Sequence, residues 1–410
     1  MPFDVSRLQL AATPIELIDG HPVRPGEVLV EANATDRERS SLRNTPARPF
    51  QPDDQDDWRS KFPEPSVTVI GGLRNAGFEL WTGLSNDKAA ALASDPNLPG
   101  IRHNTVYFGA GSLDFHHGGP GSLPVAARGN RVLPPSGTEG EGDLAILDTG
   151  LPPEWQAHPG KLRGVRGIDA VQSDIDRLDE DDDGELDIQA GHGFFICGLV
   201  RRSAPDVAID MYRVLHSTGE GDEATIIATL NNVLHTDARV VSLSFGAFPA
   251  ENEPEPPLVQ VIRELRKEGK IVVAAAGNVQ HRAEYRDRTM FPASMPEVTA
   301  VGAYDSRNGG RSLWPNSNPA DEYAPGVELV STYAGWSGRH LPDDNVWAKW
   351  SGTSFATPVV AARLAQQGRG AGVEERPWPT KRTWPQSRVP EFVVQREVAF
   401  RYDSDVDLTK

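Results

Sequence analysis

Only one cysteine, Cys197, occurs in the 410 residues, which excludes any disulfide within the chain and fixes no redox compartment. It sits in the apolar run 191–200, where a buried structural thiol is expected. A nucleophilic cysteine would need an activating partner, and none is evident. Long apolar runs are missing too. None reaches the roughly 20 residues of a membrane-spanning helix. The N-terminus, Met-Pro-Phe-Asp-Val-Ser-Arg-Leu-Gln-Leu, lacks the basic start and apolar core of an export signal. Read as written, the chain is expected in the cytoplasm, with secretion as the alternative. Basic residues are in deficit, 41 Lys and Arg against 58 Asp and Glu, for a formal net charge of −17. That balance argues against nucleic acid and anionic membrane surfaces as partners.

What remains suits a globular chain, with 24% charged and 38% hydrophobic residues, long enough for a large core and an accessory domain. The most informative stretch is 351–358, Ser-Gly-Thr-Ser-Phe-Ala-Thr-Pro. Pro358 has no N–H and is expected in a helix's first turn, so the apolar run after it predicts a helix starting near Ser354. An oxyanion formed by attack of that serine would lie at the positive helix end. Residues 143–150, Asp-Leu-Ala-Ile-Leu-Asp-Thr-Gly, read as a strand buried on both faces with Asp148 at its carboxyl end. Residues 191–200 place His192 at the entry to a small apolar helix. A histidine there can bridge a carboxylate and a hydroxyl. Residues 271–278, Ile-Val-Val-Ala-Ala-Ala-Gly-Asn, form another buried strand ending in a side-chain amide, Asn278, that can donate to an oxyanion. Singly, each residue reads as a cap, a turn former or a core histidine. Together they read as a nucleophilic site.

Asp-Thr-Gly at 148–150, Gly-His-Gly at 191–193, Ala-Ala-Gly-Asn at 275–278 and Gly-Thr-Ser-Phe-Ala-Thr-Pro at 352–358 occur in an order that resembles the subtilisin-like serine proteases, or subtilases. The resemblance covers about residues 140–368. It implies Asp148, His192 and Ser354 as catalytic triad, Asn278 as oxyanion donor, a peptide or protein substrate, and no cofactor for the chemistry. It also implies that Leu243, Ser244, Phe245 and Gly246 pair with an extended peptide, with Ala275, Ala276 and Gly277 walling a pocket. The family usually carries a threonine two residues after the histidine, where this chain has Phe194. A packing change is expected there.

From 140 to 368 strands and helices alternate: Ile209 to Val214, a helix capped by Asp222, the strand 239–245, the helix Leu258 to Lys267 stopped by Gly269, and the strand 271–276. The fold class expected is α/β, a parallel doubly wound sheet preceded by a small α+β domain. That first domain, 1–109, has strands at 27–34 and 67–70, a helix at 87–95 and a strand near Asn104 to Phe108. Subtilases are commonly preceded by a prodomain that templates folding and blocks the cleft, so the resemblance implies an intramolecular inhibitor; a permanent accessory domain is the competing reading. Residues 110–139 are Gly- and Pro-rich and linker-like, and 369–410 form an irregular tail. Within the linker, His116-His117-Gly-Gly-Pro-Gly lacks an accompanying Gly-x-Ser-x-Gly elbow and reads as linker.

The acidic run 179–187 alternates Asp179, Asp181 and Asp183 before Gly184, as in an oxygen-rich calcium loop. Ala190 stands where the loop's last Glu belongs, with Asp187 as the substitute ligand. A structural Ca2+ there and a solvated acidic loop are the two readings. The functional expectation is a serine endopeptidase; the alternatives are a catalytically silent peptide-binding relative and an intracellular processing enzyme for one precursor.

Overall fold

The computed structural model describes residues 14–18, 21–43, 66–68, 70, 72–109, 124–127, 142–158, 162–180, 182–248, 255–279, 285–307, 311–334 and 347–368. The first elements are β1 (Glu16–Ile18), β2 (His21–Glu31), α1 (Asp36–Arg43), β3 (Ser66–Thr68), β4 (Phe78–Thr82), α2 (Asn86–Ala93) and β5 (Ile101–Gly109). After β6 (Val125–Ala126) come β7 (Leu144–Asp148), β8 (Val165–Gly167), α3 (His192–Ser203), β9 (Ile209–Arg213), β10 (Glu220–Asp222), α4 (Glu223–Leu234), β11 (Val240–Leu243), β12 (Phe245–Gly246), α5 (Leu258–Lys267) and β13 (Ile271–Ala275). The rest are β14 (Val298–Asp305), β15 (Ser312–Leu313), β16 (Glu322–Pro325), β17 (Leu329–Thr332), β18 (Trp347–Trp350) and α6 (Thr353–Gln367).

The central sheet runs β15-β14-β13-β11-β7-β9-β8, with β16 also on β14. Its pairs are parallel apart from β14 with β15. Successive residues face opposite sides, as a strand's period of two requires. Ala145, Leu147, Val241, Leu243, Val272 and Ala274 pack with α4 and α5. Leu144, Ile146, Val240 and Val273 pack with α3 and α6. Burial on both faces explains why β7 shows no polar alternation. The acid-capped start of α4 is as expected, Asp222 accepting the Thr225 N–H. α5 follows the predicted bounds, and Gly269 sits at φ 77° just beyond it.

Two details depart from the sequence reading. Residues 125–126, inside the predicted linker, form β6 and pair with β18; His116 and His117 and the tail 369–410 lie outside the described residues. Pro358 is not in the first turn of α6 but in the second, because the helix starts at Thr353. A proline there removes the bond to the carbonyl four residues back. That carbonyl, of Ser354, is taken instead by the Ser244 hydroxyl at 3.0 Å. The proline is thus tolerated because the strand beneath supplies the missing donor.

α3 lies against β17 through Ser331 Oγ donating to Phe195 O (2.6 Å) and Thr332 Oγ1 donating to Phe194 O (2.8 Å). A Cβ at Gly198 would meet Ser331 Oγ at 2.2 Å and Thr332 Oγ1 at 2.5 Å. Gly198→Ala is therefore expected to cost about 2–3 kcal/mol of stability through forced separation and lost bonds. Urea unfolding checks this, and an unchanged midpoint would show that the contact gives way freely.

Candidate active site

Asp148, the last residue of β7, is fully buried. Its Oδ1 accepts the Thr149 N–H at 2.8 Å and Nδ1–H of His192 at 2.7 Å. His192 opens α3 directly after Gly191, which holds φ 74° as N-cap. Because Nδ1 donates to a carboxylate, Nε2 of the neutral ring carries the lone pair. Nε2 is buried and has no hydrogen-bond partner among the described residues. Trp350 and Phe355 flank the ring at 5.3 and 5.0 Å between centroids. The arrangement is a buried base, oriented by a carboxylate, with its basic nitrogen unengaged.

Ser354 is the second residue of α6 and is fully buried. Its Oγ donates to Ser244 O at 3.1 Å, completing a reciprocal pair with the Ser244 hydroxyl. Asn278 follows β13, and its Oδ1 accepts both N–H and Oγ1–H of Thr353 at 2.9 Å. With Oδ1 so occupied, the donor end is directed elsewhere: a Cβ at Gly352 would lie 3.5 Å from Asn278 Nδ2. The amide nitrogen therefore faces the turn that leads into Ser354.

Several residues that support these groups escape sequence reading. Fully buried Asp176 accepts Gly191 N–H (2.8 Å), the Thr149 hydroxyl (2.9 Å) and Leu178 N–H (3.1 Å). Thr149 Oγ1 in turn accepts Gly193 N–H at 3.1 Å. One carboxylate thus ties the residue after Asp148 to the residues on either side of His192. Asn318 does the same under Asn278. It accepts Val279 N–H at 2.7 Å, donates to the carbonyls of Tyr285 and Arg288 at 3.0 and 2.8 Å, and sends its own N–H to Gly277 O at 3.0 Å. In the sequence each looks like an ordinary turn residue, since its partners are distant along the chain.

The expected peptide-pairing segment is already paired. Phe245 lies opposite Gly109 and Gly246 opposite Phe108, so β12 takes the end of β5. On the other edge β10 pairs Glu220 with Phe108, Gly221 with Tyr107 and Asp222 with Val106. Leu243 and Ala275 are buried within the central sheet, while Ala276 and Gly277 lead from it to Asn278, Gly277 at φ 110°. Phe194 is buried edge-on to His158, ring centroids 5.0 Å apart. Cys197 is a buried free thiol whose ionisation burial opposes.

In the acidic loop, Asp179 accepts the amides of Asp183 (3.1 Å) and Gly184 (2.9 Å). Asp187 accepts the Glu180 amide (2.8 Å) and the Ser217 hydroxyl (2.5 Å). Asp181 lies outside the described residues. Among the described residues no three His, Cys, Asp or Glu side chains converge as a metal site would require.

A model of the subtilase family matches residues 143–372. The thermophilic serine proteinase of Bacillus sp. (strain AK1) is 30% identical over 246 residues, which are 57% of this chain and 54% of that protein. Thermitase of Thermoactinomyces vulgaris is 30% identical over 247 residues, 57% of this chain and 78% of that protein. The chain spans about half the length of the Bacillus proteinase. Fervidolysin from Fervidobacterium pennivorans, described as a keratinolytic enzyme related to subtilisin, superposes with TM-score 0.56 at 16% identity. The alignment covers 87% of this chain and 57% of that one, which shows a shared fold.

Burial pushes the Asp176 carboxyl up to about 6 from 3.8, against the bonds it accepts from Gly191 and Thr149. A raised folded-state value means that this group's contribution to stability is complete below 3.8 and is lost as pH climbs through 6. Asp176→Asn, which cannot ionise, escapes that loss. Between pH 4 and 7 the wild type should lose on the order of 2 kcal/mol more stability than the variant. Chemical denaturation across that range reads the difference, and parallel curves would exclude a buried, titrating carboxylate here.

Proposed function

Since this chain belongs to the subtilase family, we propose that it is a serine endopeptidase that cuts peptide bonds through an acyl-enzyme on Ser354. The observation that carries this reading is the buried His192, held by Asp148 at 2.7 Å with Nε2 unengaged. In the reaction the Ser354 hydroxyl leaves the Ser244 carbonyl, gives its proton to Nε2, and Oγ attacks the substrate carbonyl carbon. The imidazolium is stabilised by Asp148, which stays ionised. The oxyanion meets Asn278 Nδ2–H and the amides at the start of α6. His192 then protonates the departing amine, and a water repeats the sequence to release the acyl group. Proton transfer through His192 supplies the acid–base chemistry, so no cofactor enters the scheme. The substrate is a peptide or protein laid along β12.

The N-terminal elements act, in the same reading, as an intramolecular inhibitor. Support comes from β5, whose residues 106–109 occupy the space between β10 and β12, where an extended peptide would pair.

Ser354→Ala is expected to abolish labelling by a fluorophosphonate probe; equal labelling of variant and wild type would sink the assignment. Retained peptide affinity with no labelling of the wild type would indicate the silent, peptide-binding alternative. Asn278→Ala should lower kcat by about 100- to 1,000-fold with little change in KM, measured on a peptide the wild type cuts. Incubated full-length protein should be cut between residues 109 and 142, and Ser354→Ala protein should stay whole. An active chain that remains intact would leave the N-terminal elements a permanent accessory domain.

A further inference from the structure

The end of β5 shows what the cleft accepts. Its side chains alternate. Val106 and Phe108 cluster with Ile15, whereas Tyr107 points the other way and joins the core formed with α4 and α5. Tyr107 is fully buried, its ring 6.2 Å from that of Phe245 and 6.1 Å from that of Phe291. Two phenylalanine rings alone would hold any aromatic side chain. The distinctive feature is the polar group at the phenol. Tyr107 Oη donates to Glu223 Oε1 at 3.2 Å, and the same oxygen accepts the Leu258 N–H at 3.0 Å. Glu223 is the first residue of α4 and is fully buried. Burying a carboxylate in such surroundings is costly unless donors meet it. Leu258 supplies one donor permanently; from β5 come the Tyr107 phenol and, beside it, Thr105, and burial still raises the carboxyl to about 7. A phenylalanine in the same place would bring apolar area but no donor, leaving the buried oxygen short of one bond.

We propose that Glu223 is a specificity-determining residue that makes the cleft select tyrosine over phenylalanine at the peptide position now filled by Tyr107. The inference rests on the reading that β5 lies where substrates lie. Sites built to bond a hydroxyl reject analogues that lack it, because a buried polar group is then left unpaired. The register also gives the position. Gly246 faces Phe108 and Phe245 faces Gly109, so in a peptide laid the same way the next residue falls opposite Ser244. The Ser244 carbonyl holds the Ser354 hydroxyl at 3.1 Å, so the bond cut follows that residue. The selected tyrosine is then the fourth residue before the cut.

Two measurements test the proposal. In the first, full-length protein allowed to process itself is given paired peptides that differ only in tyrosine or phenylalanine at the fourth position before the cut. The expected kcat/KM ratio is about 5- to 10-fold in favour of tyrosine, the range for an ordinary buried hydrogen bond. Glu223→Leu should lose that preference or turn it toward phenylalanine. A wild-type ratio within twofold would overturn the proposal. The second measurement needs no catalysis. In full-length Ser354→Ala protein, hydrogen exchange of the β5 amides is followed with Tyr107→Phe, Glu223→Leu and both together, so that the cycle separates the Tyr107 contact from the Leu258 bond. Tyr107→Phe should speed exchange by about 5- to 10-fold when Glu223 is present and far less when it is not; equal acceleration in both would overturn the proposal. If the coupling holds but no peptide is cut, the endopeptidase reading falls and the pocket preference stands. If peptides are cut without preference, the reverse is true.

Discussion

A bond of 2.7 Å between Asp148 Oδ1 and His192 Nδ1, with both side chains completely buried, is the contact on which the site's architecture turns. A carboxylate withdrawn from water persists only where donors replace its hydration. Here they come from His192 and the Thr149 amide. Neither donor is placed by local sequence alone. The strand end and the helix start are 44 residues apart, and Asp176 links them by bonding Thr149 on one side and Gly191 on the other. Asp176 tolerates its own burial by accepting amide and hydroxyl donors. Two carboxylates with separate donor sets thus build one rigid corner, an arrangement suited to holding an imidazole in a single tautomer.

The opposite wall is fixed by the start of α6. Asn278 Oδ1 holds Thr353, and Ser244 and Ser354 exchange bonds, each hydroxyl meeting the other's carbonyl. These contacts satisfy backbone groups that a helix start and a mid-helix proline leave open. Because Asn278 Oδ1 accepts both Thr353 donors, the oxyanion role proposed for this side chain falls to its NH2 group. Since the Ser354 hydroxyl rests on the carbonyl of Ser244, that hydroxyl has to turn away before it can reach a base. Among the described residues, His192 Nε2 and Asp148 Oδ2 are the atoms of the Asp148–His192 pair that lie buried without a hydrogen-bond partner.

Legibility in the sequence followed locality. β7, α3, α4, α5 and β13 were readable because burial on both faces, a capping Asp222 and a stopping Gly269 all act within a few residues. The four residues proposed for the site stand out in the sequence because each lies at or just beyond an element boundary. By contrast, α1, Asp-Arg-Glu-Arg-Ser-Ser-Leu-Arg, buries only Glu38 and Leu42 and so shows no apolar stripe. The short strands β15 to β18 have two to four residues each, too few for a period, and their pairing is long-range. Asp176 and Asn318 look like turn residues until their partners arrive from elsewhere. Pro358 misled by a turn, because the donor that excuses it belongs to residue 244.

The position of β5 carries a general consequence of strand chemistry. β10 and β12 are short strands whose inward edges need partners for their backbone amides and carbonyls. Any extended segment can meet that need, so backbone pairing gives affinity while discriminating nothing; discrimination is left to side chains that enter pockets. On the proposed reading, an inhibitor made from the same chain and a substrate from outside would compete for one set of hydrogen bonds, with the outcome set by what else each buries. β5 adds its pairing with β2 and the bond from Asn104 to the Ala224 amide at the start of α4. A free peptide has no such extension. On that proposal the N-terminal elements hold the cleft through β5 and Asn104, and severing the chain beyond β5 would leave those contacts in place. Release would then require the whole small sheet to come away, rather than one strand to slip.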